Sequence, residues 1–447
     1  MKRISFVLIM LITIFYSFNV NAKDTIVSMN KYEEERFTSI INGYDTEGKI
    51  DGLITGGYVL KEKLSVDDNE YNDYQAIVAK YIDNKLIWKY TYGKTKEDFL
   101  DCLNYSYDTE GKIDGYLLTV IETSDFNEES TNETIFIKLS LDGKEISQKQ
   151  LSIGGQIRIN KLITTYDGES NIDGYIAIGN NDRTSYLIKL DKDLNVVWLR
   201  EFPNEGVPNI NFLDLSLVTK DNQIVGYAVI KEVIDGSNDK NIELLRYDIT
   251  GENYSVITDL NKYDSYSLAE ATDGFIVYGA TSEVKLDKGD ESYYLINYNS
   301  LNEDYWETIG ESPLDKNKKV ILLPIKKDKQ IKEYLLLYSN NVDQSTEVVK
   351  ISIEGEIKDK IKKIYDEYHS IEDFNFSNDI LYLVGQVNCP KDDSCAYDSK
   401  SLYLISEEEK VIEVKDNDSK SVLIIIGVFF VLLIGIIFYK RKRKMVV

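Results

Sequence analysis

Short apolar runs alternate with polar turns along most of the chain, and they recur about every 50 residues. Three runs follow nearly the same turn: residues 44–52 and 107–115 both read YDTEGKIDG, and residues 166–174 read YDGESNIDG. Weaker copies of the strand after the turn begin near residues 226, 274, 333 and 379. Apolar and polar residues alternate with a period of two, which is typical of β-strands. The pattern therefore predicts seven repeated units built from strands.

Each unit contains one short run before the turn, one strand after it, and then a strand, a tight turn and a last strand. Units of about 40 to 50 residues with four strands and no helix are typical of β-propeller blades. We therefore predict an all-β fold, a seven-bladed β-propeller over residues 23–414. Its units are predicted to start near residues 36, 97, 156, 209, 263, 317 and 368.

The three tryptophans of the chain test the alignment of the units. Trp88, Trp198 and Trp306 all fall at one position, on the fourth strand of units one, three and five. Ser147 and Ser255 stand at that position in units two and four. Large aromatic side chains that share one position of a repeat favour packing between blades. We therefore predict a structural role for them.

These repeats resemble those of secreted bacterial β-propellers, which run D-G-G-Y-I-V-V-G, then L-I-K-L-D-x-x-G-N-x-x-W, then T-F-G-G. The stretches that carry the resemblance are residues 173–179, 187–198 and 88–99, the last of which reads WKYTYGKTKEDF. The units are also similar to quinoprotein-type propeller blades. The resemblance implies the fold and a location at the cell surface, but proteins of many functions carry such repeats.

The two ends of the chain are predicted to lie outside the propeller. Residues 1–22 combine Lys2 and Arg3 with an apolar run and a small-residue site at Ala22, which is typical of a signal peptide. Residues 422–439 contain no charge and are long enough to cross a bilayer as a helix. Residues 415–421 would be a linker. The basic tail at 440–447 predicts a single-pass protein of the cell membrane, with its N-terminus outside and its C-terminus in the cytoplasm.

The net negative charge of the chain argues against anionic partners. The chain has 52 basic and 76 acidic residues and a net charge of −24. Seven of the basic residues and none of the acidic ones lie in the two ends, so the net charge from Lys23 to Ser421 is −31. Nucleic acids need clustered Lys and Arg, so we expect no nucleic-acid partner. The acidity favours solubility first, and it favours neutral or basic ligands over anionic ones.

Candidate chemistry is sparse. The chain has one histidine, His369, and no nucleophile or nucleotide-binding motif. The turns at residues 45–51 and 108–114 resemble the middle of a calcium loop but lack its first ligand and its final Glu. We therefore predict no catalytic residue, no metal site and no cofactor. The alternative is an extracellular hydrolase, or a quinoprotein-like dehydrogenase, that uses the propeller channel. Asp and Glu are so abundant that they single out no carboxylate pair for hydrolysis, and the quinone cofactor rests on the resemblance of the fold alone.

The leading hypothesis is an extracellular binding or scaffold domain without enzymatic activity, whose partner is a neutral or basic protein or glycan. The predicted contact residues are the acidic side chains of the first two repeated turns: Asp45, Glu47, Asp51, Asp108, Glu110 and Asp114. In a blade these turns lie on one face, and the longer loops lie on the other. If the last blade ended near Val414 with its own fourth strand, the longer loops would face the membrane and the acidic turns would face outward.

Two further predictions concern the last unit and the cysteines. Residues 25–29 are an alternative source of the outer strand of the last blade, in which case the first and last segments would close the ring together. Cys389 and Cys395 are close in sequence in an exported segment, so we predict a disulfide between them. Cys102 lies on a predicted strand, and we expect it to be a buried free thiol.

Overall fold

The computed structural model describes residues 25–26 and 35–405 with internal gaps. The gaps are 67–68, 84, 94–96, 123–132, 152, 154–156, 168, 170, 182–183, 204–208, 222, 235–239, 261–264, 281–291, 302, 312–319, 328–329, 341–344, 365–368, 378–379 and 388–402. The signal peptide, linker, helix and tail predicted above lie outside the described residues, as do Cys389 and Cys395. No helix among the described residues is long and apolar enough to cross a membrane.

The described chain is all-β, and its 28 strands form seven antiparallel sheets of four strands each. Sheets 1 to 3 contain β2 (Glu35–Tyr44), β3 (Ile50–Val66), β4 (Asn69–Ile82) and β5 (Lys85–Tyr92); β6 (Phe99–Tyr107), β7 (Ile113–Glu122), β8 (Glu133–Ser140) and β9 (Glu145–Gln150); and β10 (Arg158–Tyr166), β11 (Ile172–Asn180), β12 (Thr184–Asp191) and β13 (Val196–Pro203).

Sheets 4 to 7 follow in chain order. They contain β14 (Asn209–Lys220), β15 (Gln223–Ile234), β16 (Lys240–Asp248) and β17 (Tyr254–Asp259); β18 (Ser265–Glu270), β19 (Phe275–Ala280), β20 (Ser292–Tyr298) and β21 (Asp304–Glu311); β22 (Val320–Lys327), β23 (Gln330–Asn340), β24 (Ser345–Ser352) and β25 (Ile357–Ile364); and β26 (His369–Ser377), β27 (Ile380–Val387), β28 (Tyr403–Ile405) and β1 (Thr25–Ile26).

The seven sheets form a closed, propeller-like ring. The first strand of each sheet contacts the first strand of the next, and β26 of sheet 7 contacts β2 of sheet 1. The described core residues form seven apolar clusters, and each cluster joins two neighbouring sheets. For example, Ile54 and Val78 of sheet 1 pack with Tyr116 and Leu118 of sheet 2. The second strands, such as β7 and β11, are buried on both faces, which explains why they read as nearly continuous apolar runs.

Sheet 7 closes the ring with strands from both ends of the chain. Its order is β1–β28–β27–β26, with Thr25 opposite Leu404 and Ile26 opposite Tyr403. The outer strand of this sheet therefore comes from the N-terminal segment, as the alternative prediction had it. The other prediction, that the last sheet supplies its own fourth strand up to Val414, is wrong. β1, from the opposite end of the chain, pairs with the backbone groups at the edge of β28, so no strand that follows β28 is needed to cover that edge.

This closure fixes the face on which β1 begins and β28 ends. We call the side with the first-to-second and third-to-fourth connections the turn face, and the opposite side the loop face. Lys192 of a third-to-fourth turn donates to the carbonyl of Thr109 in a first-to-second turn, 3.2 Å away, so both kinds of turn share one side. As a third strand, β28 ends at the turn face, and the antiparallel β1 begins there. The prediction that the chain leaves from the loop face is therefore wrong.

The register places the three tryptophans at equivalent positions. Trp88, Trp198 and Trp306 lie opposite Lys80, Lys189 and Asn297 of the adjacent third strands. Ser147 and Ser255 stand at the same place in sheets 2 and 4, opposite Lys138 and Arg246. The repeat alignment drawn from the sequence therefore agrees with the strand register.

Trp88 shows how these positions join neighbouring sheets. Its ring lies 5.9 Å from that of Tyr116 in sheet 2. It also covers Gly143 in the β8–β9 turn, where an added Cβ would lie 2.4 Å from the indole. Gly143 has a φ of 79°, which glycine adopts without strain. Trp198 packs in the same way on Gly251 of sheet 4.

Candidate functional site

The acidic residues predicted to form a binding surface lie on the turn face of the adjacent sheets 1 and 2. Asp45 and Asp108 begin two identical turns and hold them closed. Asp45 Oδ1 accepts the amide N–H groups of Glu47 and Lys49, each at 2.9 Å. Asp108 Oδ1 makes the equivalent bonds in its own turn at 2.8 and 2.9 Å. These backbone hydrogen bonds lower the pKa of both carboxyl groups. Their first role is therefore to form the turn.

Asp51 and Asp114 point inward and form ion pairs with lysines of the third strands. Lys80 Nζ donates to Asp51 at 2.8 Å and also to the carbonyl of Tyr44 at 2.8 Å. Lys138 Nζ lies 2.7 Å from Asp114. Lys80 is nearly buried, so the attraction to this carboxylate offsets part of the cost of taking the ammonium group out of water. Sheet 3 repeats the arrangement with Lys189 and Asp173.

Glu47 and Glu110 remain at the surface, but each has a lysine partner two residues further on. The Glu47–Lys49 and Glu110–Lys112 pairs span 2.7 and 2.9 Å, and all four side chains are largely exposed. The three acidic residues of each turn therefore face two lysines and retain a net charge of about −1. Although the structure brings the six predicted residues together on one face, it does not leave them as a free acidic surface.

Other carboxylates lie along the axis of the ring, where they join one sheet to the next. The first strand of a sheet has one edge without a β-strand partner, so its amide groups need other acceptors. Asp101 of sheet 2 accepts the N–H of Ile159 in sheet 3 at 2.9 Å. Asp214 and Asp373 make the same kind of bond to Leu268 and Ile40 of the following sheets, at 2.6 and 3.0 Å. These three carboxylates therefore serve the joints between sheets.

At the loop-face end of the axis, two of these joints carry an arginine. Arg36 and Arg158 occupy equivalent positions in β2 and β10, opposite Tyr58 and Asn180 of the second strands. Arg36 Nη2 lies 2.6 Å from Glu372 of sheet 7. Arg158 Nε lies 3.3 Å from Asp101 of sheet 2. In both pairs the carboxylate is the residue that a β-bulge displaces from the register of its first strand.

Three aromatic side chains lie beside Arg36. Phe99 occupies in sheet 2 the position that Arg36 and Arg158 hold in sheets 1 and 3. Its ring centre is 4.9 Å from that of Tyr58 and 5.6 Å from that of Tyr74. The guanidinium of Arg36 lies 6.0 Å from the Tyr58 ring and donates to its hydroxyl at 3.3 Å. Tyr58 and Tyr74 belong to the long β3–β4 hairpin, which therefore borders the axis on the loop face.

We call this group the loop-face mouth and define it by Arg36, Tyr58, Phe99, Asp101, Arg158 and Glu372. The two arginines and the two carboxylates have no net charge together when all four are ionised. Burial raises the pKa of Asp101 to about 6, and Arg158 only partly opposes this shift. For Arg36, burial lowers the pKa, but the stronger combined effect of Glu372 and Tyr58 raises it. The arrangement offers paired donors and acceptors beside aromatic rings.

The sequence alone did not indicate the loop-face mouth. The sequence contains one hint of it: Arg36 and Arg158 each directly precede the first apolar residue of their unit, and Phe99 stands at the equivalent position of the second unit. This hint does not identify the ion-pair partners, because Arg36 and Glu372 are 336 residues apart in the sequence.

Cys102 is a free thiol beside this group. It donates to the carbonyl of Ile159 at 3.4 Å, and burial raises the pKa of the thiol to about 12. The described residues contain no group of three or more His, Cys, Asp or Glu side chains that could hold a metal ion. The backbone of His369 pairs with that of Val387 at the start of sheet 7.

No protein-family model matches this chain, and no curated protein matches it either. Solved structures to which this chain is similar include BBS1N in complex with ARL6DN, with 8% identity, a TM-score of 0.48 and coverage of 86% of this chain and 96% of that one. The polysaccharide lyase Uly1 has 7% identity and a TM-score of 0.48, over 86% of this chain and 98% of that one. The Pyrococcus horikoshii acylaminoacyl peptidase has 10% identity and a TM-score of 0.45, over 84% of this chain and 53% of that one. Likenesses of this size transfer no ligand or activity.

Proposed function

We propose that this protein is a single-pass, surface-anchored β-propeller of seven blades whose extracellular domain binds a partner and performs no turnover. The observation that supports the proposal best is that both ends of the ring emerge from the turn face. The predicted membrane helix follows β28, so the turn face would be the one held toward the membrane. The loop face would then be presented outward, with its longer connections and the loop-face mouth.

The span between the ring and the helix is compatible with this orientation. About 16 residues separate Ile405 from the predicted helix, and they reach at most about 55 Å when fully extended. The turn face, which lies at the near end of that span, retains a net negative charge in each of the first two turns. Anionic headgroups would repel such a surface, so the ring would stand off the bilayer and leave the loop face accessible.

The roles of the axis carboxylates support binding over catalysis. A general acid or base needs a carboxyl group that can reach a substrate and exchange its proton. Asp101, Asp214 and Asp373 instead accept backbone amides of the neighbouring sheets. Removing any of these carboxylates would break a contact between two sheets. A catalytic acid or base must gain and lose a proton in each catalytic cycle, and a carboxylate that holds two sheets together is poorly suited to that role.

The orientation can be tested on intact cells that express the full chain. A short peptide tag inserted between Val66 and Asn69, at the tip of the β3–β4 hairpin, reports on the loop face. The same tag inserted between Gly111 and Lys112 reports on the turn face. A bulky antibody should bind the loop-face tag with about tenfold higher apparent affinity, while a small tag-directed dye should label both. Equal antibody binding at both sites, or stronger binding at the turn face, would contradict the proposal.

The absence of turnover is tested on the same purified protein with glycosides, esters and dye-linked alcohol oxidation. The hydrolase or dehydrogenase alternative requires a rate that disappears when one axis carboxylate is neutralised without loss of folding. Such a rate, lost in Asp214→Asn but retained in Asp45→Asn, would establish the enzyme and end the binding-only proposal.

A further inference from the structure

We propose that the loop-face mouth is a binding site for a neutral, hydroxyl-rich glycan. This inference rests on the proposed binding function and adds the place and the chemical class of the ligand. It depends on three features of the site: arginine N–H groups with unused capacity, a balanced charge and neighbouring aromatic rings.

The arginines of the mouth have donors to spare. A guanidinium carries five N–H groups in a fixed plane. Arg158 uses Nε for Asp101, its side chain is 65% exposed, and its Nη groups have no hydrogen bond to another described residue. Arg36 uses one Nη for Glu372 and one for Tyr58, while its buried Nε has no hydrogen-bond partner among the described residues. The adjacent hydroxyls of a sugar match such closely spaced donors.

The carboxylates supply acceptors at the same place. Glu372 accepts from Arg36 through Oε1, and its side chain is 18% exposed, so a ligand hydroxyl can approach this carboxylate. Asp101 is 3% exposed and bonds to Arg158 and to the amide of Ile159. Its role is therefore to position Arg158 and not to touch the ligand. Donors and acceptors side by side suit hydroxyl groups, which both give and receive hydrogen bonds.

The charge of the mouth selects against ionic glycans. Two arginines are balanced by two carboxylates, and the chain as a whole carries −24. A polyanion would meet the repulsion of the chain without a local excess of positive charge. A cationic glycan would have to compete with arginines that already hold both carboxylates. A neutral glycan would meet neither the repulsion nor the competition.

The aromatic rings supply the apolar part of the site. Tyr58 and Phe99 lie edge to face at 4.9 Å, and both side chains are partly exposed. Partly exposed rings beside a few fixed polar groups are the common composition of small-molecule sites. The site also rests on first strands that the axis carboxylates join to one another, so binding would require little ordering of the protein.

The test measures binding of defined oligosaccharides to the purified full-length protein in detergent micelles. The neutral probes are the hexamers of maltose-, cellulose-, xylan- and chitin-type chains, and the charged probes are heparin and oligogalacturonate. We expect at least one neutral hexamer to bind, with an affinity that changes less than twofold between about 50 and about 500 mM salt. Binding of charged probes alone, or of none, would overturn the inference.

Variants locate the site. Arg158→Gln and Tyr58→Leu should each weaken binding about tenfold or more. Arg200→Gln is the matched control, because Arg200 also bonds a carboxylate of the next sheet, Glu252 at 3.1 Å, and lies over an aromatic ring, Trp198 at 5.1 Å, but outside the mouth. Equal loss in Arg200→Gln, or unchanged binding in Arg158→Gln, would contradict the site.

Thermal unfolding of each variant separates loss of the site from loss of the fold. Arg158 is mostly exposed, so Arg158→Gln should unfold close to the wild-type temperature. If it does not, Tyr58→Phe, which removes only the hydroxyl, provides the second measurement and should still weaken binding. Failure of glycan binding in a protein whose loop face is exposed on cells would overturn this inference alone. An inaccessible loop face would overturn the proposed function itself.

Discussion

The turn face and the loop-face mouth use the same side-chain chemistry in opposite ways. In the first two repeated turns of the turn face, each acidic side chain finds its partner within its own turn or its own sheet, as Asp45 does with the amide of Lys49. In the mouth, each charged side chain has its partner in another sheet, as Arg36 does with Glu372. Groups satisfied locally stabilise a turn and little else. Groups satisfied between sheets assemble only when the ring closes, and they can hold a ligand there.

The largest expected effect is on the turn face, where one glycine carries a contact between sheets. Gly143→Ala should lower the free energy of unfolding by about 4 kcal/mol, because the new Cβ would both strain a left-handed backbone and collide with Trp88. Gly48→Ala is the matched control, since Gly48 has a φ of 78° and nothing within 4 Å of the added Cβ. It should cost about 1 kcal/mol in the same denaturant titration. Equal costs would show that the Trp88 contact contributes nothing.

Breaking a buried ion pair should have the next largest effect. Lys80→Met removes the partner of Asp51 and leaves that carboxylate without its cation, so we expect a loss of about 3 kcal/mol in the free energy of unfolding. The double variant Lys80→Met with Asp51→Leu should recover most of this loss, because no uncompensated charge remains. If the double variant is as unstable as the single one, packing and not charge explains the effect.

The pH dependence of stability should distinguish the mouth from the turn face. Asp101 has a pKa of about 6 in the folded protein and an ordinary value of 3.8. The folded state therefore binds more protons than the unfolded state between these values, so this group lowers stability as pH rises through the window. Relative to Asp101→Asn, the wild type should lose about 2 kcal/mol between about pH 4 and about pH 7. A constant difference between the two proteins would contradict the raised pKa.

The smallest effect is expected at the exposed pairs of the turn face. Glu47→Gln and Glu110→Gln remove acidic residues whose lysine partners are also exposed, so the midpoint of unfolding should not change measurably. Neither variant should alter binding of a neutral hexamer. A loss of binding in these variants, with Arg158→Gln unaffected, would return the contact surface to the turn face.

Much of the architecture follows from the sequence, because its signals are local. Apolar strands that follow a repeated turn, alternation in the hairpins after them and a tryptophan at one position of the repeat were enough to predict four-stranded units and their register. Trp88 and Ser147 illustrate this point, since their equivalence could be inferred from spacing alone and agrees with the pairing of Lys80 and Lys138. Strand alternation and turn chemistry act over a few residues, so they can be read without knowing the fold.

Other features were decided only when the ring closed. Arg36 pairs with Glu372, and Ile40 with Asp373, and no spacing in the sequence indicates these partners. The pairing of Thr25 with Leu404 decides between two strands that the sequence left open for the edge of the last sheet. The same closure places the start of β1 and the end of β28 on the turn face, whereas the sequence predicted that the last sheet ends on the loop face. The physical reason is that contacts over such separations exist only after every intervening sheet has packed on its neighbour. The repeat determined the sheets, and the circular packing of the sheets determined the loop-face mouth.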